Sequence, residues 1–160
     1  MKVLVIYFSQ TGNTEKIAGA IREEASSANE VDLKKIEDAG SSDIAGYDFV
    51  FLGSPIHGGS LAAPVKEWLG SIQAGSDLQM AGVLTHAAPS YPEQNIAEFA
   101  EPIIAVCQEK GITYKGSFDC EGLLAEQLRP KEEGDGAPLS DHPNDEDVAN
   151  AKGFVKDVLG

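Results

Sequence analysis

Six residues near the start of the chain, Ser9-Gln10-Thr11-Gly12-Asn13-Thr14, crowd three hydroxyls and a run of backbone N–H groups into one short turn. Such a turn at the start of a helix suits an anion, because unpaired N–H groups and the helix dipole point at the same place. The turn has neither the Gly-x-x-x-x-Gly-Lys-Ser/Thr pattern of nucleotide triphosphatases nor the Gly-x-Gly-x-x-Gly of dinucleotide folds. Hydroxyls stand where those motifs have glycines, and no cation lies in the turn, so a phosphate there would be held by hydrogen bonds alone. The plainer reading of the same residues is a capped helix start, with Thr11 or Asn13 as the N-cap.

The elements around this turn follow from hydrophobic period. Residues 3–8 are almost continuously apolar, which suits a strand buried on both faces. Ile17, Ala18 and Ile21 then recur at helical spacing, predicting a helix over 13–28. Residues 31–36 alternate and read as an edge strand whose charges face water. A short helical turn is expected at 41–45. Residues 49–52 form another apolar run, expected to stop at Gly53. Pro64 opens a helix whose inner stripe is Val65, Trp68, Leu69 and Ile72. A strand follows over 78–86, then a helix over 93–110, with Pro102 expected to kink or break it and Gly111 to cap it. A strand over 112–119 and a helix over 144–159 complete the pattern. The last helix turns Val148, Ala151, Phe154, Val155 and Val158 inward and places Asp145, Glu146 and Asp147 in its first turn.

Strands alternating with helices, joined by crossovers too long for hairpins, predict an α/β fold. It is a three-layer, doubly wound, five-stranded parallel sheet of order 2-1-3-4-5. In such sheets a ligand sits beyond the carboxyl ends of the strands, where the order reverses. Three unusual loops meet there: after Phe8, after Leu52 and after His86.

Composition bounds the rest. A chain of 160 residues fits a single domain, 1–160, with a sizeable core. The net charge of −14 and pI near 4.4 argue against nucleic acid or an anionic membrane and favour solubility or a basic partner. No apolar run is long enough to span a membrane, and the first strand is too short for a signal peptide, so a cytoplasmic protein is expected. Two cysteines, Cys107 and Cys120, are too few for a disulfide framework or a zinc site. Residues 121–143 form a Gly- and Pro-rich acidic loop; within 119–147 there are ten acidic residues and two basic ones. A loop of this length in a small domain is functional or mobile.

The turn after the first strand resembles the phosphate loop of flavodoxins, Ser/Thr-x-Thr-Gly-x-Thr, and matches it at every defined position. The resemblance covers residues 2–159, with 121–143 its least defined part. It implies a flavodoxin-like fold and FMN as cofactor, with the phosphate held by Ser9, Gln10, Thr11, Gly12, Asn13 and Thr14. Residues 53–60, with Ser54, Pro55, Ile56, His57 and Gly58 as the expected contacts, resemble the family's second flavin loop, which packs against one side of the isoalloxazine ring. Gly-Ser-Pro-Ile is similar to the opening of that loop in flavodoxin-like quinone reductases and protoporphyrinogen oxidases. By the same resemblance the His57–Gly58 peptide is the one that flips on flavin reduction, since glycine permits positive φ. His57 is either a contact to the flavin edge or an exposed loop histidine, and the tryptophan that flavodoxins often carry on this loop is missing. His86, Ala87, Ala88 and Tyr91 match the third loop in position. Tyr91 either stacks on the ring or lies at the surface near Pro89 and Pro92. Phe118-Asp119-Cys120-Glu121-Gly122 is similar to a Phe-x-Cys-x-Gly pattern of some flavodoxin-like proteins. Its thiol is redox-active if exposed, and otherwise a small apolar residue ending a strand.

The function so implied is an electron carrier between redox partner proteins with a basic docking face. The alternatives are an NAD(P)H- or quinone-linked FMN oxidoreductase and a non-redox interaction module of the same fold.

Overall fold

In a computed structural model, the described residues are 1–40, 44–57, 59–73, 77–86, 93–122 and 142–160, with only the helical backbone for 93–97. The elements in chain order are β1 (Lys2–Tyr7), α1 (Asn13–Ala25), β2 (Glu30–Lys35), a single 3-10 turn (Ile36–Asp38), β3 (Phe49–His57) and β4 (Ser60–Leu61). After them come α2 (Ala63–Ser71), β5 (Gln79–His86), α3 (Glu93–Lys110), β6 (Thr113–Glu121) and α4 (Asp145–Leu159). The main sheet has the order β2-β1-β3-β5-β6, all pairs parallel, and β4 folds back antiparallel on β3. Apart from the short β4, this is the doubly wound order that the strand–helix alternation predicts.

Alternation along the strands divides the core in two. Val3, Val5, Tyr7, Phe49 and Phe51 point to one face, where Ile17 and Ile21 of α1 and Ala151 and Val155 of α4 cover them. Leu4, Ile6, Val50, Leu52 and Leu84 point to the other, under Trp68 and Leu69 of α2 and Ile103 and Cys107 of α3. A strand buried on both faces must be apolar at every position, which is why β1 reads as an unbroken run. The charged strand β2 lies at the sheet's edge, as expected.

Several boundaries differ from expectation. β3 does not stop at Gly53 but runs on to His57. The Gly-Ser-Pro sequence fits a strand here because β1 has ended beside it. Phe8 N donates to Gly53 O, so residue 53 points toward β1. Pro55, two residues on, points the same way past the end of β1, and its missing N–H leaves no ladder bond unmade.

α1 ends at Ala25 rather than residue 28. There Ser26 Oγ donates to Arg22 O and Asn29 Nδ2 to Ala25 O, and these side-chain bonds compete with further helix. Pro102 does not divide α3, which is continuous from Glu93 to Lys110. Phe99 and Ala100 before the proline and Ile103 and Cys107 after it pack on one core, so the stripe is held on both sides of the lost bond. β6 extends two residues beyond the expected end, to Glu121. The turn expected at 41–45 lies mostly outside the described residues.

Candidate functional site

The register brings the carboxyl ends of the central strands together. Tyr7 lies opposite Gly53, Pro55 opposite Thr85, and His86 opposite Glu121. The turn 9–14 leaves β1 at this edge. Gly12 is the N-cap of α1, at φ +91° in the left-handed region that glycine enters at little cost. Neither Thr11 nor Asn13 caps the helix; Asn13 is already its first helical residue. Gly12 N donates to Ser9 Oγ at 3.1 Å, and Gly12 O accepts the first helical bond from Lys16 N at 3.0 Å.

α4 starts quite differently. Asn144 Oδ1 accepts from Glu146 N and Asp147 N, and Asp147 Oδ2 accepts from Asn144 N, a reciprocal capping box. The same chain thus closes one helix start with side-chain oxygens and places at the other a glycine with no side chain to offer. A helix start left to backbone donors and flanked by hydroxyls fits a phosphate. Lys16 stands just beyond the turn, and its Nζ donates to Pro143 O at 2.6 Å.

The turn is tied to the sheet at three points. Thr14 is buried, and its Oγ1 lies 2.8 Å from Thr85 Oγ1 on β5. Gly53 lets β3 pass close beneath: a Cβ on it would meet Tyr7 Cβ at 2.9 Å and Thr14 Cγ2 at 3.0 Å. Gly122, just past β6, lies against Asn13 in the same way. Thr85 does not stand among the residues expected at the site, and its readable signal is a polar residue at the end of an apolar strand. Gly53 and Gly122 stand in the Gly-Ser-Pro-Ile and Phe-x-Cys-x-Gly matches, but their packing against the turn needs the fold to be seen.

The β3–β4 segment divides by strand alternation. Ser54 and Ile56 turn into the α2–α3 side of the core, where Ser54 Oγ accepts from Ala62 N at 3.0 Å and so fixes the return of the chain. Pro55 and His57 belong to the opposite set and are half-buried. The His57 ring stands edge-on to Phe8, centroids 6.4 Å apart, at the mouth of the turn. His86 at the end of β5 is 9% exposed, and its Nε2 lies 3.0 Å from Asp119 Oδ2 on β6. Gly58, Ala87, Ala88 and Tyr91, which carry the expected peptide flip and ring stacking, lie outside the described residues.

Both thiols are buried, which removes the exposed redox reading of Cys120. Burial pushes the Cys107 thiol up to about 11. Burial raises the Cys120 thiol further, with Asp147, Asp119 and Glu121 acting in the same direction. Such groups stay protonated and inert at neutral pH. Among the described residues no cluster of three or more His, Cys, Asp or Glu is placed to hold a metal, and no helix is long and apolar enough to cross a membrane.

Comparison with known proteins agrees with this fold. Over its full length the chain is similar to the flavodoxin-like domain-containing protein BilS of Clostridioides difficile, 28% identical over 176 residues and covering 99% of this chain and 97% of that one. The fold matches that of oxidised flavodoxin 2 from Bacillus cereus, with a TM-score of 0.74, 21% identity and coverage of 99% and 98%. It also matches part of the rubredoxin oxygen:oxidoreductase of Desulfovibrio gigas, with a TM-score of 0.72, 16% identity and 98% of this chain; there it spans about a third, 35%, of the longer protein. A flavodoxin domain model matches residues 4–136. The chain therefore belongs to the flavodoxin domain family.

Proposed function

We propose that this chain binds FMN at the carboxyl edge of its sheet and carries electrons between redox proteins. The observation that carries the reading is the start of α1, whose N-cap is a glycine beside Ser9 and whose first turn is anchored to both β3 and β5. Ser9, Thr11 and the backbone N–H groups of 12–14 would take the phosphate. Thr14 can accept from Thr85 and still offer its own proton, since each hydroxyl donates once and accepts twice. His57, Pro55 and the backbone around Ser54 and Ile56 would flank the ring on one side, and by the family resemblance His86, Ala87, Ala88 and Tyr91 would do so on the other. Bound FMN supplies one- and two-electron chemistry; the protein's part is to hold it, orient it and exclude water from it. The charge of −14 suits docking to a basic face on a partner, which raises encounter rates at low salt.

A second reading, a quinone- or NAD(P)H-linked oxidoreductase, draws on the β3–β4 hairpin. It presents half-buried His57, and the segment 53–60 carries no tryptophan to cover the ring, which would suit a small substrate. Anaerobic reductive titration of the FMN-loaded protein, followed by assay with NADPH and a water-soluble quinone, separates the two. Reduction in two resolved one-electron stages without nucleotide oxidation supports the carrier. A single two-electron stage with catalytic nucleotide or quinone turnover overturns it.

A further inference from the structure

Phe118, Cys120 and Gly122 occupy alternate positions at the end of β6 and just beyond it. Alternate positions of a strand share a face. Phe118 packs with Phe154 of α4, and Cys120 is buried in the α1–α4 side of the core. The side chain shrinks from a phenyl ring to a thiol to nothing as the strand nears the start of α1. The last step has a direct cause: a Cβ on Gly122 would lie 2.9 Å from Asn13 Cβ, and as close to its Cγ and Nδ2. Real Cβ atoms do not approach so closely, and the first obstacle is an atom fixed to the α1 backbone, which cannot swing aside. Gly122 N also donates to His86 O at 2.8 Å, so the backbone that backs the first loop is bonded to the root of the third.

We propose that Gly122 is a positioning residue for the phosphate turn. By carrying no side chain it sets how deeply the first residue of α1 seats against the sheet. That depth sets where the N–H groups of the first helical turn converge. This rests on the FMN reading above and goes beyond it, since Gly122 itself touches no ligand. The Phe-x-Cys-x-Gly pattern is then a taper that fits β6 under an anion site.

The test is flavin affinity, read by quenching of flavin fluorescence in the full chain, for FMN and for riboflavin separately. Gly122→Ala is expected to weaken FMN at least tenfold while changing riboflavin less than twofold, because only the phosphate contacts move. Asn13→Gly keeps the backbone N–H assigned to the phosphate and removes the Cβ that the new methyl meets, so it is measured alone as the reference; in that background Gly122→Ala is expected to cost less than threefold in FMN affinity, against at least tenfold in the wild-type background. If Gly122→Ala does not fold, the double variant decides: folding with FMN preferred over riboflavin supports the proposal, and failure to fold overturns it. Unchanged FMN affinity in Gly122→Ala, equal weakening of both flavins, or the same fold-loss from Gly122→Ala in the wild-type and Asn13→Gly backgrounds each overturns it. A wild-type chain that binds no FMN removes the underlying reading and this inference together. That outcome is recognised at the first titration and is distinct from wild-type binding that Gly122→Ala leaves untouched.

Discussion

Thr14 Oγ1 and Thr85 Oγ1 lie 2.8 Å apart, and this buried contact joins the first turn of α1 to the end of β5. It holds the phosphate turn against the strand that leads into the third loop. A buried hydroxyl stripped of its partner costs about 1–3 kcal/mol, whereas removing both hydroxyls together can be nearly neutral. Thr85→Val is therefore expected to lower stability by ~1–3 kcal/mol, and the double variant Thr14→Val/Thr85→Val by less than either single change. Urea unfolding of the four proteins checks the cycle. Additive losses would show that the two hydroxyls do not act as a pair.

Gly53 controls the same seat from below. A methyl there would press on Tyr7 Cβ at 2.9 Å and Thr14 Cγ2 at 3.0 Å, both on elements packed into the core. Overpacking of this kind costs about 1–3 kcal/mol. Gly53→Ala is expected to reduce the urea midpoint correspondingly and to weaken FMN, since Thr14 must move. A variant of unchanged stability would show that β1 and α1 yield freely at this point.

How far this arrangement could be read in advance depends on the range of the forces behind it. β1, α1 and α4 were legible because their patterns are local: a continuous apolar run, a helical stripe, and Asn144 followed by acidic residues. The extent of β3 was not, because Gly53-Ser54-Pro55 has the composition of a turn. Only the neighbouring end of β1 makes a strand of it. The plainer reading of the start of α1, a side-chain cap at Thr11 or Asn13, does not hold, because a left-handed Gly12 takes the N-cap in place of the usual local solution. The contacts Thr14–Thr85 and Asn13–Gly122 join residues far apart in the chain and exist only once the sheet has formed. The positions of Ser54 and Ile56 inside the core follow from strand alternation, which could not be applied while the segment read as a loop.

Alkaline pH offers a further check. Burial raises Cys107 from 9.0 to about 11 in the folded chain, raises Cys120 further, and raises Tyr114 against the opposing bond to Ser117. The unfolded chain then loses these protons first as pH rises, so it is favoured. The stability contributed is complete below about pH 9 and is lost as pH climbs toward 11. The urea midpoint is expected to hold between pH 7 and 8.5 and to fall steadily above 9. Cys107→Val, which has no proton to lose, is expected to flatten the fall. Thiol reagents at pH 8 are expected to label neither cysteine until the protein is unfolded. Rapid labelling of the native chain would contradict the buried placement of both.

The most direct measurement is the affinity of the purified chain, freed of any bound flavin, for FMN and for riboflavin side by side. The phosphate is the only group that distinguishes the two, and the turn 9–14 is the feature assigned to it. FMN is expected to bind far more tightly than riboflavin, with most of that preference lost in Ser9→Ala/Thr11→Ala and little change in riboflavin affinity. Equal affinity for the two flavins would show that the turn does not hold a phosphate. Binding of neither would leave the flavodoxin fold in place and remove flavin chemistry from this protein.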